Sequence, residues 1–81
     1  MVRPELARYG LGTLDLDGCV TCGDIAVPVV VLEVAGSEAL CEDRLGQRAR
    51  VAVDFTPEAA PGDVLLVHLG VAIARVGRET P

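Results

Sequence analysis

Two valine-rich apolar runs constrain the fold of this chain more than any other feature. Residues 25–34 read IAVPVVVLEV and residues 64–76 read VLLVHLGVAIARV. β-branched side chains favour strands over helices, and a nearly continuous apolar run is typical of a strand that is buried on both faces or forms a barrel wall. We therefore predict a strand in each run. Pro28 has no N–H to donate, so we expect the first strand to lie at an edge or to bulge there.

The second run predicts one long strand that bends at Gly70, because a glycine in mid-strand is typical of a bulge or corner. Side chains alternate along a strand. One face would then carry Leu65, Val67, Leu69, Val71 and Ile73. The opposite face would carry Val64, Leu66, His68, Gly70, Ala72 and Ala74.

The middle of the chain predicts further short strands. Residues 48–55 alternate, which places Ala49, Val51, Val53 and Phe55 on the buried side. Residues 38–44 form a mixed segment between turns at 36–37 and 45–47. Four or five short strands without a convincing helix predict an all-β fold, a small OB-like β-barrel.

Length and charge limit the remaining possibilities. The chain has 81 residues, enough for one small domain. Pro4, Gly10, Gly12 and Gly18 interrupt its start, so we predict an N-terminal extension at 1–18 and a barrel domain at 19–81. A net charge of −5 with one Phe, one Tyr and no Trp gives no indication of nucleic-acid binding.

No segment is apolar over the roughly 20 residues that a membrane helix needs. Charged residues interrupt the first 17 positions, as a signal peptide would not allow. We therefore expect no membrane partner and a cytoplasmic protein, in which thiols stay reduced.

The segment that contains Cys19, Cys22, Gly23 and Asp24 holds the residues best suited to chemistry. As a zinc site, the cysteine pair would need two further ligands, and the remaining soft or borderline donors are Cys41 and His68. A redox pair would need a helix after it, whereas a β-rich run follows. A thiol at a barrel rim could instead bind a transferred metal. The cysteines could also be plain small apolar residues, and Cys41 is better explained by packing.

His68 is the sole histidine and lies within a strongly apolar run. It is either a core imidazole with one backbone partner or a group that ligates a metal or exchanges a proton with a thiol. The small residues predicted on its face, Gly70, Ala72 and Ala74, would leave space beside the ring.

Residues 61–76, PGDVLLVHLGVAIARV, resemble the closing segment of the HypC/HupF family of [NiFe]-hydrogenase maturation chaperones. That segment has a Gly-Asp or Gly-Glu turn followed by a strand of the type Val-Leu-Val-His-x-Gly-Phe-Ala. Residues 22–34 resemble the opening cysteine, proline and first strand of the family, and residues 39–54 fit its middle hairpin. The chain resembles a divergent member with an N-terminal extension, and it lacks the C-terminal helix that many members carry.

The resemblance implies an accessory protein with an OB-like barrel, and no enzyme. It implies binding to a HypD-like maturation protein and to the precursor of the hydrogenase large subunit. Its cargo would be iron with cyanide and carbon monoxide ligands, held by Cys22 with Cys19 and His68 as further metal ligands. Cys22, Gly23, Asp24 and Pro28 would bind the partner. The alternative is a zinc-stabilised structural or interaction module with Cys19, Cys22, Cys41 and His68 as ligands.

Overall fold

The computed structural model describes residues 3–10, 12–14 and 26–78, and in them the chain forms a closed five-stranded β-barrel. A 3₁₀ helix at Pro4–Tyr9 precedes strands β1 (Val27–Ala35), β2 (Glu38–Asp43), β3 (Arg48–Ala52), β4 (Asp63–His68) and β5 (Val71–Arg78). The strands follow each other round the barrel as β1-β2-β3-β5-β4, and β4 pairs with β1 to close it. The predicted all-β barrel is confirmed.

Small branched side chains fill the barrel interior. Every second residue of β1 points inward, and its neighbours in the other strands do the same. The buried cluster consists of Val27, Val29, Val31, Ala39, Cys41, Val51, Val53, Leu65, Val67 and Ala72. A narrow barrel has room only for such side chains, which explains why a chain with so few aromatic residues can fill its core.

The second apolar run is a hairpin, so the prediction of one bent strand is wrong. Leu69 and Gly70 both have positive φ, 53° and 79°, and they connect β4 to β5 as a two-residue turn with the φ signs of type I′. The turn reverses the chain and shifts the alternation. Ala72 therefore faces inward opposite Val67, whereas Leu69 and Ile73 are 60% and 51% exposed.

The strand at 48–55 is shorter than its alternation predicts. β3 ends at Ala52, and the Thr56 N–H donates to the Val53 carbonyl at 3.0 Å in the turn that follows. Val53 is buried as expected, but Phe55 is 74% exposed in that turn. Apolar and polar residues thus continue to alternate in the sequence after Ala52, although the strand has ended.

Pro28 lies neither at an edge strand nor at a bulge. β1 pairs with both β2 and β4, and its irregularity falls between Val31 and Glu33. Pro28 faces Leu66 of β4, and the ladder with β2 begins only at Val29. The missing N–H is tolerated because Pro28 precedes the part of β1 that pairs on both sides.

The N-terminal segment, residues 3–14 as far as they are described, packs on the outside of the barrel. Val30 and Val64 face each other across β1 and β4 on the outer side and are 2% and 0% exposed. The Arg3 N–H donates to the Arg44 carbonyl at 2.8 Å beyond β2. At the other end, the Tyr9 ring lies against Gly77 of β5, and Leu6 of the same 3₁₀ helix is 0% exposed.

This segment therefore crosses the outer face from β2 to β5 and covers it. The predicted boundary between residues 18 and 19 lies outside the described residues and stays a prediction.

Candidate metal-carrying site

His68 is the last residue of β4 and lies where the chain enters the barrel. The preceding residue, Val67, pairs with Val27, the first residue of β1. His68 itself pairs with Val71 across the β4–β5 hairpin. Val67 belongs to the interior cluster, so the alternation places His68 on the outer face, where it is half-buried. The imidazole is thus a group at one end of the barrel wall and not part of its core.

The residues around His68 match the predicted small set only in part: Ala74 pairs with Leu66 and shares the outer face, as predicted, but Ala72 does not. Ala72 is 0% exposed inside the barrel, on the other side of the wall. Leu66 on the same strand and Val71 across the hairpin share the face of His68. The expectation failed for Ala72 because it assumed a single strand through Gly70.

Cys19, Cys22, Gly23 and Asp24 lie outside the described residues. Their distance from His68, and their roles as ligands or partner contacts, stay predictions. Pro28 is described and is buried. A Cβ built on Gly10 would lie 3.7 Å from the Pro28 ring, so the N-terminal segment packs closely against this proline.

Cys41 is a core residue, in agreement with the packing interpretation. It is 0% exposed, and its Sγ lies 3.7 Å from the Ala39 carbonyl oxygen. Burial raises the pKa of the Cys41 thiol to about 12, so the thiol stays protonated at neutral pH. Cys41 points into the barrel and His68 points out of it. The two side chains therefore lie on opposite sides of the wall.

Three acidic residues that the sequence analysis did not single out are buried. Glu42 and Asp43 are 0% exposed and Asp63 is 2% exposed. The carboxylate of Asp43 accepts hydrogen bonds from the N–H groups of Leu14, Leu45 and Gln47 at 2.8, 3.0 and 2.8 Å. It therefore fixes both the β2–β3 turn and the end of the N-terminal segment.

Glu42 accepts hydrogen bonds from Arg3 and from Arg48 Nε, the latter at 3.0 Å. Burial alone would raise the pKa of Glu42, but the two arginines outweigh it and hold the pKa below its ordinary value. Asp63 pairs with Arg78 Nη1 at 2.7 Å and accepts the Ala60 N–H at 2.9 Å. These carboxylates are structural, and nothing in the local sequence distinguishes them from surface acids.

Sequence reasoning also missed Leu69. It is the only non-glycine residue with positive φ in the described part of the chain. The signal that could have identified the turn is the pair Leu69-Gly70, because glycine at the second position suits a two-residue hairpin loop. The turn was missed because leucine is not a typical residue at its first position.

Within residues 3–10, 12–14 and 26–78, no three His, Cys, Asp or Glu side chains converge so as to hold a metal ion. In the same residues, no helix has the length and apolar character needed to cross a bilayer.

The fold and the site define a small closed β-barrel that presents a single imidazole at the end where the chain enters it. Comparison with known proteins identifies the family. The chain belongs to the HupF/HypC family, whose profile matches residues 24–80. This family suggests a role as a hydrogenase maturation chaperone, an accessory protein rather than an enzyme. A search of curated proteins found no match.

Proposed function

We propose that this protein is an accessory chaperone in the maturation of a [NiFe]-hydrogenase. It accepts an iron that carries cyanide and carbon monoxide from a HypD-like protein and delivers it to the precursor of the large subunit, in the cytoplasm. Membership in the HupF/HypC family and the closed barrel support this role.

The cargo iron is held through the thiolate of Cys22, with Cys19 and His68 as further ligands. Thiolate and imidazole are donors that suit such an iron. A single protein thiolate can release the metal to the next partner, whereas a closed set of four protein ligands is typical of a permanent structural site.

The observation that carries the proposal is the place of His68 beside the entry of β1. Val67 pairs with Val27, so His68 lies next to the position where the chain arrives from the cysteine segment. Ala26 lies four positions after Cys22 in the chain. Their Cα atoms are therefore no more than about 14 Å apart. The register thus supports an encounter between the thiolate and the imidazole.

The zinc alternative receives less support from the described residues. Its four ligands include Cys41 and His68, which lie on opposite sides of the barrel wall. In addition, the Cys41 thiol is buried and its pKa is raised, which disfavours the thiolate that zinc requires. If a purified chain contained stoichiometric zinc and unfolded when the metal was removed, the zinc alternative would be correct.

The experiment compares Cys22→Ala with Cys19→Ala as its matched control. Each variant is co-produced with the HypD-like protein, and the purified complex is analysed for iron and for the infrared bands of bound cyanide and carbon monoxide. Cys22→Ala is expected to lose the iron and both sets of bands. Cys19→Ala is expected to retain most of them, and both variants should keep the circular dichroism of the barrel. Full iron loading in Cys22→Ala would overturn the assigned role.

His68→Asn tests the imidazole separately. We expect it to weaken iron retention without abolishing partner binding, because the thiolate remains. Asp24→Asn and Pro28→Ala test the proposed partner contacts by the affinity for the HypD-like protein. Pro28→Ala would act through the packing of Gly10 against β1, since Pro28 is itself buried.

A further inference from the structure

The N-terminal segment is attached at both of its ends to neighbouring residues of β2. At its start, Arg3 pairs with the buried carboxylate of Glu42. At its end, the Leu14 N–H donates to the carboxylate of Asp43 at 2.8 Å. Between these attachments the segment reaches β5, where the Tyr9 ring lies against the strand. The segment therefore crosses the outer face and returns to the strand from which it started.

Two leucines provide the main apolar anchorage of this segment. Leu6 is 0% exposed, and Leu14 is partly buried against the interior cluster of the barrel. Pro4, Ala7 and Arg8 are exposed. In the described part of the chain, the interior cluster itself has ten buried side chains. Apolar stabilisation grows with the buried area, so detaching the segment should cost much less than unfolding the barrel.

The barrel is complete without the N-terminal segment. The family profile begins at residue 24, and all five strands lie within the matched residues 24–80. Each ladder of the barrel joins one of these strands to another, and among the described residues none includes the segment. The segment is thus an addition on the outside of the family domain, and the strands can stay paired when it leaves.

We propose that the N-terminal segment is a latch that opens as one unit while the barrel stays folded. Opening would expose Val30 and Val64, which are 2% and 0% exposed under the closed segment. It would also release the bond between Leu14 and Asp43, the last described attachment before Cys19 in the chain.

This inference rests on the proposed function and adds regulation to it. Of the described attachments, the closed latch gives the cysteine-bearing stretch two, at Leu14 and at the start of β1. The open latch leaves only the second. The metal ligands could then move away from the barrel for transfer of the iron without any loss of the fold.

Hydrogen exchange of single amides at low urea concentrations tests the latch on the purified chain. The Arg3, Leu6 and Leu14 N–H groups all donate within the latch or at its attachments. They should share one opening free energy, lower than that of the amides in β1 and β4. Its urea dependence should also be smaller, because less surface is exposed when only the latch opens.

Leu6→Ala and Leu45→Ala form a matched pair for this measurement. Leu45 lies in the β2–β3 turn and is 46% exposed. Leu6→Ala should speed exchange of the Leu14 N–H by about tenfold or more, because the latch opens as a unit. Leu45→Ala should leave that rate within about twofold of the wild type. A purely local role of Leu6 would change only the amides of the 3₁₀ helix.

Arg3→Gln repeats the test in a variant that keeps every apolar contact. It weakens the ion pair with Glu42, so the Leu14 N–H at the opposite end should exchange about threefold faster or more. If the Arg3 and Leu14 amides opened with different free energies, or only together with β1 and β4, the latch would be wrong and the chaperone role would stand. If they opened together while Cys22→Ala retained its iron, the proposed function would fail and the latch would remain a property of the fold.

Discussion

The two ends of β5 each depend on a glycine, for opposite reasons. Gly70, just before the strand, has a φ of 79°, and a Cβ built on it would meet nothing within 4 Å. Gly77, near the end of the strand, has no such φ, but a Cβ there would lie 2.5 Å from the Tyr9 hydroxyl oxygen. The first glycine is required by the backbone and the second by a neighbour.

The two glycines lie in regions that differ in solvent exposure: the N-terminal segment covers the barrel near Gly77, and nothing in the described residues covers the hairpin tip at Gly70. Around Gly77 the N-terminal segment covers the barrel, and the buried carboxylates have arginine or backbone partners. Around Gly70, Leu69 has a positive φ and is 60% exposed, next to His68 in the chain. Contacts within the fold account for the buried groups of the first region, whereas the hairpin tip of the second region stays exposed.

The largest expected effect tests whether the N-terminal segment that covers the barrel contributes to its stability. Leu6 is 0% exposed, so Leu6→Ala should lower the free energy of unfolding by about 2–5 kcal/mol. Urea denaturation measures it. Leu45→Ala is the control, because Leu45 is 46% exposed and its truncation should cost less than about 0.5 kcal/mol. Equal costs would mean that the N-terminal segment contributes little.

Gly77→Ala tests the steric requirement at the covered end. Its Cβ would overlap with the Tyr9 side chain, and we expect a loss of about 1–3 kcal/mol in unfolding free energy. Tyr9→Ala should remove most of that penalty when it is combined with Gly77→Ala. If the two changes were simply additive in a double-mutant cycle, the close contact would not be the reason for this glycine.

Glu42→Gln tests the ion pairs that anchor Arg3. At pH 7 it should cost about 1–2 kcal/mol, because two charge-assisted hydrogen bonds weaken while both arginines keep access to water. The pKa of Glu42 is held below its ordinary value of 4.5, so its ionised form stabilises the fold above that pH.

The stabilisation by Glu42 is lost as the pH falls through the lowered pKa of the folded state. The difference in unfolding free energy between wild type and Glu42→Gln should therefore shrink below about pH 4.5. A difference that stayed constant from pH 7 to pH 3 would contradict the role of the charge.

The smallest effect belongs to Gly70. Gly70→Ala should cost about 1 kcal/mol through backbone strain alone, since the added methyl group meets no neighbour. Gly70→Asn should cost clearly less, because asparagine tolerates positive φ. Thermal unfolding of both variants distinguishes the cases. Equal losses for the two would indicate a steric clash, as at Gly77, and remove the contrast between the two ends.

The sequence was sufficient for the fold class because the barrel wall follows from local patterns. The continuous valine-rich run predicted most of β1, the alternation at 48–55 predicted β3, and the turn at Gly36 lies where expected. The hairpin at Leu69 was missed because apolar residues flank it on both sides and no polar turn residue marks it. The two-residue alternation of a strand does not show where the chain reverses direction when the turn residues are as apolar as the strands on either side.

The candidate site was predictable only in part. The apolar pattern predicted that His68 lies in a strand. Which side chains share its face depends on the β4–β5 hairpin, which the pattern did not predict. The burial of Glu42 and Asp43 depends on contacts with residues 3–14, which are nearly thirty or more positions away in the chain. Such long-range pairings leave no trace in local composition, and neither does the packing of Tyr9 on Gly77.

The barrel is closed between β3 and β5 by the pairing of Ala52 with Val71 alone, among the residues that the structure describes. Every other neighbouring pair of strands shares a longer ladder. Amide deuterium uptake should therefore begin along this junction, since few backbone bonds need to break there. Such an opening would separate the β4–β5 hairpin from β3 while the β1–β4 ladder still holds it to the rest of the sheet, so the closed barrel would become an open five-stranded sheet.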